Sequence, residues 1–117
     1  MIARDWAIAF ATTLVAELPV YLLACRGSFT LGTCVVVGLL LNVVTHPVAW
    51  SVFHFARISF PLGFVAVEAV VVVTEAVLLC AIARSRYARR PLSPSRCLAI
   101  AVAANSFSAG LSLLVWG

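Results

Sequence analysis

All three glutamates of this chain, Glu17, Glu68 and Glu75, lie inside stretches apolar enough to cross a bilayer, while all eight basic residues, every one an arginine, lie at or beyond the ends of those stretches. That segregation restricts the fold. A carboxyl group in hydrocarbon costs on the order of 2.5 to 3.5 kcal/mol on insertion scales, so three of them without a buried arginine must face one another, a polar neighbour or a cavity. The chain has 117 residues, 64% of them hydrophobic and only 10% charged, which is too apolar for a soluble domain of this size. A spanning helix needs about 20 largely apolar residues, so four of them with short connections take up nearly all of this length.

Apolar continuity and the breakers between runs predict helices at about 6–25, 29–54, 61–83 and 96–116. Residues 1–117 then form a single all-α domain, a polytopic four-transmembrane-helix bundle with short loops. Arg26-Gly27-Ser28 reads as a tight first turn and Arg57 to Phe60 as a second; Arg84 to Ser95, with Pro91 and Pro94, is the one substantial loop. Pro61 suits a first helical turn, where its missing N–H costs nothing, and Ser93 or Ser95 suits the N-cap of the fourth helix. The first apolar run, from about Trp6 to Ala24, follows Arg4-Asp5 and is long enough to span, so it is expected to be a retained helix and not a cleaved leader.

The net charge of +4 comes from clustered arginines, which in such a chain reports topology and headgroup contact; nucleic-acid binding is not expected. Arg26, Arg84, Arg86, Arg89, Arg90 and Arg96 fall on one side against Arg4 and Arg57 on the other, which predicts cytoplasmic loops one and three with both termini outside. Arg84, Arg86, Arg89 and Arg90 are candidates for topology or anionic headgroup contact. The absence of lysine beside abundant alanine and valine points to a GC-rich genome and a bacterial inner membrane. Trp6, Trp50 and Trp116, with Phe53, Phe55 and Phe60, are expected to form an interfacial belt on the outer side. Cys25, Cys34, Cys80 and Cys97 map near the cytoplasmic helix ends and match no paired zinc motif, so they read as small apolar residues.

At about 1.5 Å per residue, Glu17, Glu75 and Asn105 lie at similar depth, with Asn42, His46 and Glu68 somewhat further in. Helical spacing puts Asn42, Thr45 and His46 on one face, Glu68 and Glu75 on another, and Thr13 with Glu17 on a third. Ala101, Asn105, Ser108 and Ser112 make a small polar stripe on the fourth helix, suited to close packing within the chain or between copies. Pro19 and Pro47 sit mid-helix, and each is expected to free a backbone carbonyl beside Glu17 or His46.

Two readings of this layer stand side by side. Protonated glutamates bonded to Asn42, Asn105, Thr45 or Ser108 are glue between helices; exchangeable ones suit a proton or cation pathway. The candidate proton- or cation-binding set is therefore Glu17, Glu68, Glu75, Asn42, Thr45, His46, Asn105 and Ser108, with His46 read first as a hydrogen-bonded core residue and His54 as interfacial. The type of metal, if one binds, stays open: carboxylates and an amide suit hard cations, and His46 widens the choice. Haem is not expected, because both histidines fall on one helix.

Glu17, the run Asn42-Val-Val-Thr45-His46-Pro47, the pair Glu68 and Glu75, and Asn105-Ser-Phe-Ser108 together resemble a group of small four-span bacterial membrane proteins. The resemblance implies the four-helix organisation and no activity. Function then divides between proton or cation binding, for transport as a homo-oligomer, and an accessory or scaffold role beside other membrane subunits. An intramembrane enzyme using Glu17 or Glu75 with His46 is a third reading; with no G-x-S-x-G, H-E-x-x-H or phosphate-cradling loop, enzymatic activity is not expected.

Overall fold

A computed structural model describes the backbone of residues 2–55 and 62–116 and the side chains of residues 4–52 and 62–114. It is an all-α bundle of α1 (Ile2–Cys25), α2 (Leu31–Phe55), α3 (Leu62–Ala83) and α4 (Pro94–Trp116). All four are long and apolar enough to cross a membrane. The side chains of Phe53, His54, Phe55 and Trp116, and the whole of Arg57, Phe60 and Pro61, lie outside the described residues.

The helix ends differ from expectation for local reasons. Neither Arg4 nor Asp5 interrupts α1, and Asp5 sits in its first turn, where a negative charge complements the exposed N–H groups. The Cys25 carbonyl closes that helix by accepting from both Ser28 N and Phe29 N at 2.9 Å. Thr30 caps α2: its hydroxyl accepts from Thr33 N at 3.2 Å, so the helix begins two residues later than predicted. At α4 the cap is Ser93 and not Ser95, because Ser93 Oγ accepts from Arg96 N at 3.2 Å and Pro94 takes the first helical position.

Helices α1 and α3 each pack against α2 and α4, and across the diagonals no backbones approach closely among the described residues. The axis of this ring is therefore lined by all four helices. At the end carrying the α1–α2 and α3–α4 loops the axis is filled by Tyr21, Cys25, Phe29, Cys34, Leu41, Leu79, Cys97 and Ala104, among others, all buried. The same two loops are joined by a hydrogen bond from Arg89 N to Ser28 O at 2.6 Å, which places them on one side of the bundle. Cys25, Cys34 and Cys97 are buried free thiols within this plug.

Close approach builds the α1–α2 contact. Gly38 is buried, and a Cβ at that position would stand 2.8 Å from Leu18 Cδ2. Small residues let membrane helices gain packing where lipid supplies no hydrophobic drive between them.

Candidate functional site

Above the plug the bundle holds a cavity of about 440 Å³. Its α1 wall is the i, i+4 row Asp5, Ala9, Thr13 and Glu17, and the next two members of that row, Tyr21 and Cys25, continue into the plug. Asp5 is exposed, so the cavity reaches the surface at the end of the bundle where α1 starts. From Asp5 to Glu17 the wall runs about 18 Å at the helical rise. Trp50, Phe64, Val71 and Leu113 supply apolar surface, and His46, Glu68 and Ser112 also line it.

All four acidic residues of the chain, Asp5, Glu17, Glu68 and Glu75, line this one cavity, and no described arginine does. Acidic groups are thus gathered in one enclosed space with no described arginine to balance them.

The three glutamates are not equivalent. Glu75, 0% exposed, is the point where the four helices meet. Its Oε2 accepts from Tyr21 Oη of α1 and from Asn105 Nδ2 of α4, both at 2.7 Å, and its Oε1 lies 2.8 Å from Thr45 Oγ1 of α2. Asn105 also donates to Ala101 O at 2.9 Å, so both amide hydrogens are used. Thr45 has one hydroxyl hydrogen but two oxygens in reach, Glu75 Oε1 and, at 2.9 Å, Leu41 O. A proton on Glu75 Oε1 would make both contacts hydrogen bonds, the carboxyl donating to Thr45 and Thr45 to Leu41; without it one contact carries no hydrogen.

Glu17, 1% exposed, is bonded on one side only. Ser108 Oγ donates to Oε1 at 2.9 Å, and Ser108 Oγ also lies 3.1 Å from Asn105 O. Asn42 flanks the same carboxyl, its amide nitrogen bonded to Gly38 O at 2.9 Å. Glu17 Oε2 is buried with no hydrogen-bond partner among the described residues. Glu68, two turns from Glu75, is half-buried at the cavity wall and makes no hydrogen bond among the described residues.

All eight residues read as candidates from the sequence line this cavity. His46 differs from its expected role: Nδ1 is buried without a hydrogen-bond partner among the described residues, and the ring packs against Phe10 at 5.2 Å and Trp6 at 6.1 Å between centroids. Trp50 belongs to the cavity wall and not only to an interfacial belt. The prolines do not feed the site. Pro19 and Val15, whose carbonyl it leaves without a helical donor, are both exposed on the outer face, and neither Pro47 nor Val43 lines the cavity. The α4 stripe is turned inward: Ala101, Asn105 and Ser108 are buried within the bundle, where Asn105 meets Glu75 of α3 and Ser108 meets Glu17 of α1.

Tyr21 and Asp5 are the members that sequence reading passes over. A tyrosine near a helix end reads as interfacial, yet its spacing of four from Glu17 puts it on the carboxylate face. No three His, Cys, Asp or Glu side chains among the described residues gather closely enough to hold a metal ion. Arg84, Arg86, Arg89 and Arg90 are exposed on the loop side, where Arg86 stacks over the Tyr87 ring at 5.2 Å. No protein-family model, curated protein or solved structure matches this chain.

Proposed function

We propose that this is a small integral membrane protein that takes a proton or cation into the carboxylate-lined cavity from the end where α1 begins, with Glu17 and Glu68 as the binding groups and Glu75 as the anchor that holds the four helices in register. One observation carries the reading: every acidic side chain of the chain borders the same cavity without a described arginine, and one buried carboxylate oxygen there, Glu17 Oε2, is uncommitted among the described residues. Glue and pathway, the two roles open at the sequence level, thereby fall to different glutamates. Transport in this reading proceeds in a homo-oligomer, because four helices are few for a complete path.

The experiment is proton and monovalent cation uptake into proteoliposomes, parent against Glu17→Gln. Glutamine retains an oxygen for Ser108 and removes the acidic function, so the bundle survives while uptake falls at least about tenfold, the effect of losing roughly 1.4 kcal/mol of binding. Equal fluxes in the two chains refute the proposal. The accessory-subunit role would instead show as unrelated chains copurifying after gentle detergent extraction.

A further inference from the structure

The cavity is too large, and too apolar in its upper walls, for a bare ion alone. Its volume of about 440 Å³ lies in the range of small-molecule sites, about 300 to 1,000 Å³, which are mostly apolar with a few placed polar groups. A water molecule occupies about 30 Å³ of liquid. Apolar surface dominates the lining, with Asp5 at the mouth, Glu68 on the wall and Glu17 at the floor. The floor carries Glu17 with its unpartnered Oε2, and the sides carry Trp50, Phe64 and Val71. Carboxylate, imidazole and thiol groups do not converge as a metal shell among the described residues. What fits both ends is a ligand with a cationic N–H group at one end and an apolar body behind it.

A second groove, of about 510 Å³, lies between α2 and α3 and is lined by Val44, Val48, Val67 and Val70 among others. Thr45, Ala49 and Val71 border both the cavity and this groove, so a thin wall of small and β-branched side chains separates the two. An amphipathic ligand dissolved in the bilayer thus has the cavity one side-chain layer away.

We propose that the cavity binds a protonated organic amine, its ammonium group donating to Glu17 Oε2 and its apolar body lying along the wall formed by Trp50, Phe64 and Val71. An ammonium N–H meets the acceptor that the bundle leaves open; a charge-assisted bond of this kind is about twice as strong as a neutral one. The apolar upper walls suit an apolar body lying above the floor. This assignment rests on the reading of Glu17 as the cation-binding group and specifies the ligand class.

The test is calorimetric titration of the full chain in nanodiscs with 4-phenylbutylammonium, and with pentylbenzene as the uncharged body of the same length. Expected are saturable binding of the amine, at least tenfold weaker in Glu17→Gln, and no saturable binding of pentylbenzene. Ala9→Leu, which fills the cavity wall two turns away from Glu17, is expected to weaken the amine at least tenfold as well, and it decides the matter where Glu17→Gln does not yield a folded chain. Equal behaviour of the two compounds, or amine binding that neither substitution changes, overturns the proposal. Absence of amine binding in a parent chain that still shows Glu17-dependent proton or alkali-cation uptake overturns the ligand class and leaves the carboxylate function standing; absence of both removes the two together.

Discussion

Replacing Glu75 separates the anchor from the binding groups, because two substitutions at this one position differ in cost. In Glu75→Gln the amide oxygen can take the place of Oε2 and accept from Tyr21 and Asn105, while the NH₂ group replaces Oε1 and donates to Thr45, whose own hydrogen goes to Leu41 O. One amide hydrogen is left over, so the expected cost stays within about 1 kcal/mol. In Glu75→Leu three contacts vanish. Side-chain hydrogen bonds within membranes average about 0.6 kcal/mol each, which puts their loss near 2 kcal/mol. Thr45 and Asn105 keep the Leu41 and Ala101 carbonyls as partners, but the Tyr21 hydroxyl, in a residue 0% exposed, loses its acceptor. An orphaned buried hydroxyl adds roughly 1 to 3 kcal/mol, offset in part by the easier burial of leucine, for an expected total of about 2 to 4 kcal/mol. Equilibrium unfolding in mixed micelles of rising SDS content, followed by tryptophan fluorescence, measures both. Adding Tyr21→Phe should recover about 1 kcal/mol in the leucine background, where it removes the orphan, and cost about as much in the parent, where it removes a bond. Glutamine as damaging as leucine, or a Tyr21→Phe effect identical in both backgrounds, would refute the assignment of Glu75 as the anchor.

Two further outcomes follow from the same geometry. With the four native cysteines replaced by alanine, Thr13→Cys and Ser112→Cys, both at the cavity wall, should react about tenfold faster with a trimethylammonium-bearing thiosulfonate than with its sulfonate-bearing counterpart, as acidic focusing requires; an equal or reversed ratio would show that the cavity does not concentrate cations. Gly38→Leu forces a side chain into space already held by Leu18 Cδ2, which lies 2.8 Å from where a Cβ would stand, and should lower stability by about 1 to 3 kcal/mol in the SDS assay, whereas unchanged stability would mean that α1 and α2 do not pass this closely.

Much of this architecture is legible in the residues themselves. Four apolar runs fix four helices, and the rarity of carboxylates in hydrocarbon marks Glu17, Glu68 and Glu75 as inward-facing before any packing is known. Depth along each helix follows from the rise per residue, which is why Glu75 and Asn105 pair at one level. Azimuth between helices does not follow. Outward-facing and axis-facing sides are both apolar here, so the usual amphipathic signal that rotates a helix toward its core is weak. For that reason the α4 stripe looks available for packing between copies although Ala101, Asn105 and Ser108 are enclosed, and Pro19 faces outward although it lies only two residues from Glu17. Tyr21 escapes notice on similar grounds, since position near a helix end suggests an interface while the i, i+4 row carries it to Glu75.

The three glutamates differ in a graded way that desolvation explains. Glu75 sits where the cavity meets the plug formed by Tyr21, Leu41, Leu79 and Ala104, and it is the one with three protein contacts from three other helices. Glu17 faces the cavity floor and has one donor on one oxygen. Glu68, two turns nearer the α3 start, is half-buried and leaves its solvation to the cavity. A buried polar group costs most where it is driest, so protein donors are concentrated at the dry end and withdrawn toward the mouth. The same gradient leaves Glu17 enclosed but bonded on one oxygen only, the arrangement on which the proposed cation-binding role rests.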